Sequence, residues 1–328
     1  MKHKINIISF IFVVFLVSCT TSQPSMPIST GKNAEILINT NKNIWESAVG
    51  DTIRSVFMTS QIGLNQPEPM FRFLHIPELD KLLQKHRNIL HVSIEPTIEK
   101  ATVKYQKDVF AHPQTFIAIK APSANELIKT IHKVKNILSE KFRATDYLRI
   151  QRAYKMQENK IIVNKLLNNF GYSLVIPESF YIAKIQNDFA WLKLETNRYS
   201  QAILIYEQEF TNPNILNEEF IINWRNKITK HHITGKIDGS YMTTDTIIAP
   251  VFQNVEFAGN EAIEVRGLWR TVGDFMGGPF ITYVFKHPKE DKLIALEGYV
   301  YYPNQDKRDL MLQLEGILHS IKFVKGKR

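Results

Sequence analysis

The stretch from Glu261 to Tyr302 sets the tightest limit on what this chain can fold into. Its centre reads EVRGLWRTVGDFMGGPFITYVF, two runs of period-two apolar alternation on either side of a turn with three glycines and a proline. Two strands joined across a tight loop satisfy that pattern. Successive strand side chains alternate faces, so Ile263, Val265 and Trp269 point one way while Glu264, Arg266 and Arg270 point the other. One face is expected to be core and the other to meet water or a partner. The loop Gly273 to Pro279 sets Phe275 and Met276 between glycines, where the two apolar side chains either stand out for a contact or fold back to cap the core. Arginine and aromatic residues are enriched at binding hot spots. The candidate binding residues are therefore Arg266, Trp269, Arg270, Asp274, Phe275, Met276, Tyr299 and Tyr301. Gly277 and Gly278, just before Pro279, call either for positive φ or for a close backbone approach.

The N-terminus speaks to location. Residues 1–18 read as a secretion signal, with Lys2 and Lys4 ahead of the apolar run Ile5 to Val17, which at 13 residues is too short to span a bilayer. Leu16-Val17-Ser18-Cys19 matches the bacterial lipobox, so Cys19 is expected to carry lipid, including palmitate, and to become the first residue of the mature chain. Residues 19–32 follow as a Ser, Thr and Pro-rich tether. No acidic cluster follows Cys19; in lipoproteins of the Bacteroidota kind, which this N-terminus resembles, such a cluster is typical of export to the cell surface, so the resemblance implies lipid anchoring in the outer membrane on its periplasmic face. Cys19 is also the only cysteine. An internal disulfide, a thiolate nucleophile and a cysteine-bound metal are thereby excluded, and stability must come from the core. Losing the signal takes 41 Lys and Arg to 39 against 32 Asp and Glu, a formal charge of +7. That balance suits an anionic neighbour, such as the membrane surface or an anionic polymer, but by itself is accounted for by keeping the protein soluble; an envelope protein is the other partner class to consider. Between Lys129 and Lys165, ten Lys or Arg outnumber the acids; in an envelope protein this reads as a solvated helix face and not as a nucleic-acid site.

From Ala34 onward the elements are legible by period. A short strand to Asn39 is followed by a helix with Trp45, Val49, Ile53 and Val56 on one face. Residues 66–76 are expected to supply a turn and a strand and 77–87 a short helix, with further strands over 89–94, 103–110 and 114–120. Ser123 and Glu126 cap a helix striped by Leu127, Ile131, Val134 and Leu138. A second helical stretch begins at Thr145 and ends at Gly171, a residue suited to a left-handed C-cap. The rhythm then turns to strands, with one helix carrying Phe220, Ile221, Trp224 and Ile228 and a final one over Asp306–Ser320 carrying Leu314, Ile317 and Leu318. Strands arriving in runs argue for an α+β chain of two domains, 33–170 and 171–328, each a largely antiparallel sheet with helices packed on it.

The lipobox, QPEP at 66–69, HRN at 86–88, DGSYMTT at 238–244, RGLW at 266–269 and GDFMGGPF at 273–280 together resemble an uncharacterised lipoprotein family of Bacteroidota, a domain of unknown function. The resemblance brings no activity and carries over only the lipid-bearing Cys19. In element order the second half also resembles the fold shared by the photosystem extrinsic subunit and Mog proteins. No local signature of a hydrolase, zinc peptidase or nucleotide binder occurs, no cofactor is implied, and His231 and His232, being adjacent on a helix, would point apart as metal ligands. Two classes of function remain: a non-catalytic binding or envelope-assembly module, and a hydrolase of an envelope glycan or peptide with Glu264, Asp274 or Glu297 as paired carboxylates.

Overall fold

The computed structural model describes residues 26–210, 216–235 and 237–323. The signal and Cys19 lie outside them. The first unit comprises β1 (Glu35–Asn39), α1 (Lys42–Trp45), α2 (Ala48–Phe57), β2 (Arg72–Ile76), β3 (Asn88–Ile94), β4 (Thr102–Lys107), β5 (Thr115–Ala121) and α3 (Ala124–Lys155). The second contains α4 (Lys160–Phe170), β6 (Tyr172–Ser173), β7 (Tyr181–Ile185), β8 (Phe189–Glu195), β9 (Ser200–Glu209), α5 (Glu218–His232), β10 (Tyr241–Thr244), β11 (Val251–Phe257), β12 (Asn260–Val272), β13 (Gly277–Lys286), β14 (Lys292–Tyr301), α6 (Arg308–Leu318) and β15 (Lys322–Phe323).

The α+β class expected from the sequence is what forms, in two regions. The larger sheet runs β10-β12-β13-β14-β9-β8-β7, with β11 also on β12, and every pairing is antiparallel. In the first sheet, ordered β2-β1-β3-β5-β4, only β4 pairs antiparallel; β1 with β2, β1 with β3 and β3 with β5 are parallel. The cause lies in the connections. The helices between β1 and β2 return the chain to its starting end, and parallel partners require such a crossover. Their sequences, EILIN, NILHVSI and TFIAIKA, are close to unbroken apolar runs, as strands buried on both faces are.

Local signals set the helix starts. Asn41 caps α1 and Ser47 caps α2, so the single helix expected there is two short ones. Ser123 accepts from the Glu126 amide at 3.4 Å and starts α3, which runs unbroken to Lys155. Asn159 opens α4, and Gly171 closes it in the left-handed region at φ 75°. Ile162, Leu166 and Phe170 of α4 enter the core of the larger sheet, so the expected boundary at Gly171 falls inside the second unit.

Both faces of the larger sheet are covered, where the sequence led us to expect one open face. On one side lie α4 and α6 with Leu314, Ile317 and Leu318; on the other lies α5 with Ile221 and Trp224. The two units meet at α6. Its Leu312 enters the first core beside Ile150 of α3. A β-carbon built on Gly316 would lie 2.9 Å from Ile150 Cγ2, so glycine is what lets α3 approach. Helix α6 has no side-chain cap of its own. Glu68 of the QPEP segment supplies one from the other unit, accepting from the amides of Lys307 at 2.7 Å and Arg308 at 2.8 Å. Carboxylates suit a helix N-terminus, and such caps are worth roughly 0.5–2 kcal/mol.

The HRN segment anchors the chain's entry. Arg87 donates to Asn33 Oδ1 at 2.7 Å and to the Gly31 carbonyl, and pairs with buried Asp146 at 3.0 Å; His86 meets Glu35 at 2.9 Å. Burial pushes the Asp146 carboxyl up to about 6 against the pull of Arg87. Ile28 and Thr30 bridge to His112 and His86. The described end of the expected tether is therefore bound to the first unit.

Candidate functional site

The sequence motifs of the second unit converge on one side of the larger sheet. Register places Trp269 opposite Gly278 and Phe280 opposite Tyr299, so these rings share the face that α5 covers. Gly278 is required there by close approach, since a β-carbon on it would meet the Val300 carbonyl oxygen at 2.1 Å. That same carbonyl accepts from Trp269 Nε1 at 3.2 Å. Gly277 and Gly278 are strand residues, and the positive φ of the loop belongs to Gly273 at 79°. A β-carbon on Gly273 would lie 3.4 Å from Ser240 Cβ, which brings the DGSYMTT and GDFMGGPF segments side by side.

Where α5 stops short of the sheet edge, a pocket of about 260 Å³ opens between β8, β10, β12 and β14. Trp191, Trp269, Met276, Tyr299 and Tyr301 give its apolar wall; Lys193, Glu195, Ser200, Thr234 and Thr271 give its polar side. Trp191 Nε1 donates to the Tyr299 hydroxyl at 3.0 Å, and burial holds that hydroxyl's pKa well above the usual tyrosine value. Trp269 meets Tyr299 edge-on at 5.4 Å, a favoured aromatic geometry. Lys193 pairs with Glu195 and lies 4.9 Å over the Trp191 ring.

Of the residues singled out from the sequence, Trp269, Met276, Tyr299 and Tyr301 thus come together. Phe275 is fully exposed at the tip of the same loop, while Met276 turns back onto the core. Asp274 accepts from the Phe275 amide at 2.7 Å and serves the turn. Arg266 and Arg270 belong to the opposite face from Tyr299 and Tyr301, which corrects their expected grouping. Arg270 is exposed. Arg266 is 8% exposed and held under α6, with Glu264 Oε1 at 2.6 Å and Glu315 Oε1 at 2.9 Å. Alternation along one strand fixes relative facing; the parity between strands depends on register, which period cannot supply.

The carboxylates considered for hydrolysis do not converge. Glu264 faces α6, whereas Glu297 faces α5 and is held by Arg225 at 2.7 and 2.9 Å, with Thr282 donating at 2.9 Å. Two polar networks that the sequence did not reveal result. The first is Arg225 with Glu297, Thr282 and Thr244, the guanidinium stacked 3.8 Å over Phe280. The second joins the units: Glu315 accepts from Tyr147 at 2.5 Å and lies 3.6 Å from Arg143, whose other partner is Gln61 at 2.9 Å. Burial works against the Glu315 carboxylate, yet Arg143 and Arg266 hold it at about 2. Among the described residues, no group of three His, Cys, Asp or Glu side chains is placed to hold a metal, and no helix is long and apolar enough to cross a membrane. His232 stacks on Phe189 at 3.9 Å.

No curated protein matches the chain. Among solved structures, a mutant of protein Mog1 is similar at 11% identity and a TM-score of 0.29, over 47% of this chain and 91% of that one. Residues 29–155 match the family described as Domain of unknown function (DUF8532) and residues 159–320 match Domain of unknown function (DUF4837), two similarities that follow one another along the chain and change over just ahead of α4.

Proposed function

We propose that this chain is a lipid-anchored envelope protein acting as a non-catalytic binding module, and that the pocket beside the Gly273–Met276 loop is its recognition site. The observation that carries the reading is Phe275. A phenylalanine at full exposure is costly to leave uncovered in water, and here it stands on a short turn beside an aromatic pocket. A side chain held out by a restricted loop loses little freedom on binding, which is how such anchors gain affinity. Crosslinking in intact cells followed by mass spectrometry tests it. Phe275→Ala should leave stability within about 0.5 kcal/mol, as a surface change does, and abolish partner capture. Unchanged capture by this variant would refute the reading.

The anchor is Cys19. Two or more acyl chains hold a protein stably on a membrane where one does so only marginally. A fatty-acid analogue should label the native chain and not Cys19→Ala; unlabelled native protein in the soluble periplasm would overturn the assignment.

A further inference from the structure

Resting on that reading, we infer that the pocket takes one neutral sugar ring of a glycan. Its volume of about 260 Å³ lies just below the roughly 300–1,000 Å³ typical of pockets for drug-sized ligands, which is room for a single ring. The wall offers aromatic surface, and an aromatic face is electron-rich, suited to the electropositive C–H face of a pyranose.

The polar side discriminates further. The hydroxyls of Ser200, Thr234, Thr271 and Tyr301 line the pocket without a hydrogen-bond partner among the described residues. Thr271 is only 6% exposed, and what it exposes lines this pocket. Tyr299, 4% exposed, receives its bond from Trp191 and keeps its own proton to give. An aliphatic anchor would leave these groups desolvated and unpaired, at a penalty for each. A hydroxyl both donates and accepts, and only a ligand of the same dual character satisfies several at once. An anionic ligand is disfavoured: Lys193 is the sole cation on the wall among the described residues, and Glu195 neutralises it. An apolar face with a hydroxyl edge and no net charge describes a neutral pyranose.

The test is isothermal titration of the full chain with glucose, galactose, mannose, N-acetylglucosamine and their β1,4-linked dimers, with glucose 6-phosphate and a tripeptide as charged comparators. Saturable binding of at least one neutral sugar is expected. It should weaken tenfold or more in Trp191→Ala and in the near-isosteric Thr271→Val, with the melting temperature of each checked. Absence of saturable binding across the neutral sugars, preference for a comparator, or binding that survives both substitutions would each overturn the inference. If the sugars fail while Phe275→Ala still abolishes capture in cells, the binding-module reading stands and the sugar assignment alone falls.

Discussion

Glu297→Gln is expected to destabilise the protein by about 3–5 kcal/mol, the usual consequence of removing one member of a buried ion pair. The carboxylate is fully buried and Arg225 is 1% exposed, so the substitution strands a guanidinium with no water to replace its partner. Arg225→Met should cost a similar amount for the reciprocal reason. The double variant Arg225→Met with Glu297→Leu should recover most of the loss, because apolar residues of like volume can replace a buried pair at little net cost. Urea denaturation of the four proteins reads the cycle. If either single variant lies within 1 kcal/mol of wild type, the pair does not hold the α5 face of the sheet as its geometry implies.

Glu315→Gln should have a comparable effect at the junction between units, about 3–5 kcal/mol, because Arg143 and Arg266 would then face each other without a buried anion between them. The same network gives stability a pH dependence. His319 stacks on Tyr147 at 4.4 Å and lies 3.2 Å from the Tyr283 hydroxyl, facing Glu315, Glu264, Arg266 and Arg143. Burial lowers its pKa to about 4 from an ordinary 6.5. A base whose folded pKa is depressed contributes full stability above the unfolded value and loses it as pH falls toward the folded one. Between pH 6.5 and 4 the loss from His319 is roughly 3 kcal/mol. Asp146, raised to about 6, acts in the opposite sense, since the folded state takes up its proton first as pH falls. The comparison with His319→Phe isolates the histidine: the variant should hold its melting temperature through this window better than wild type. Parallel pH profiles for the two would refute the assignment.

Much of the architecture is a matter of period and local chemistry, and the sequence alone determined it. The stripe Leu314, Ile317 and Leu318, the caps at Ser123 and Gly171, and the alternation across the glycine loop act within a few residues, so they specify α3, α4, α6 and the β12–β13 hairpin wherever those elements dock. The residues of the candidate pocket were partly legible for the same reason: Trp269 and Met276 stand out by type and spacing. Trp191, Thr234 and Thr271 gave no such signal, since their role comes from strands and a helix end brought together over more than a hundred residues.

Tertiary structure decided which strands are neighbours, which face each side chain shares, and which faces are covered. The parallel pairing of β1 with β2 follows from the helical crossover between them. Arg266 became a buried group instead of a binding residue because α6 lies over its face, and Tyr299 joined Trp269 because hydrogen-bond register set their parity. The cap of α6 comes from Glu68, 239 residues before Lys307, and the charge on Glu315 is tolerable because α3 brings Arg143 to it and β12 brings Arg266. Coulombic and hydrogen-bond partners of that kind depend on distances in space, and no spacing along the chain encodes them.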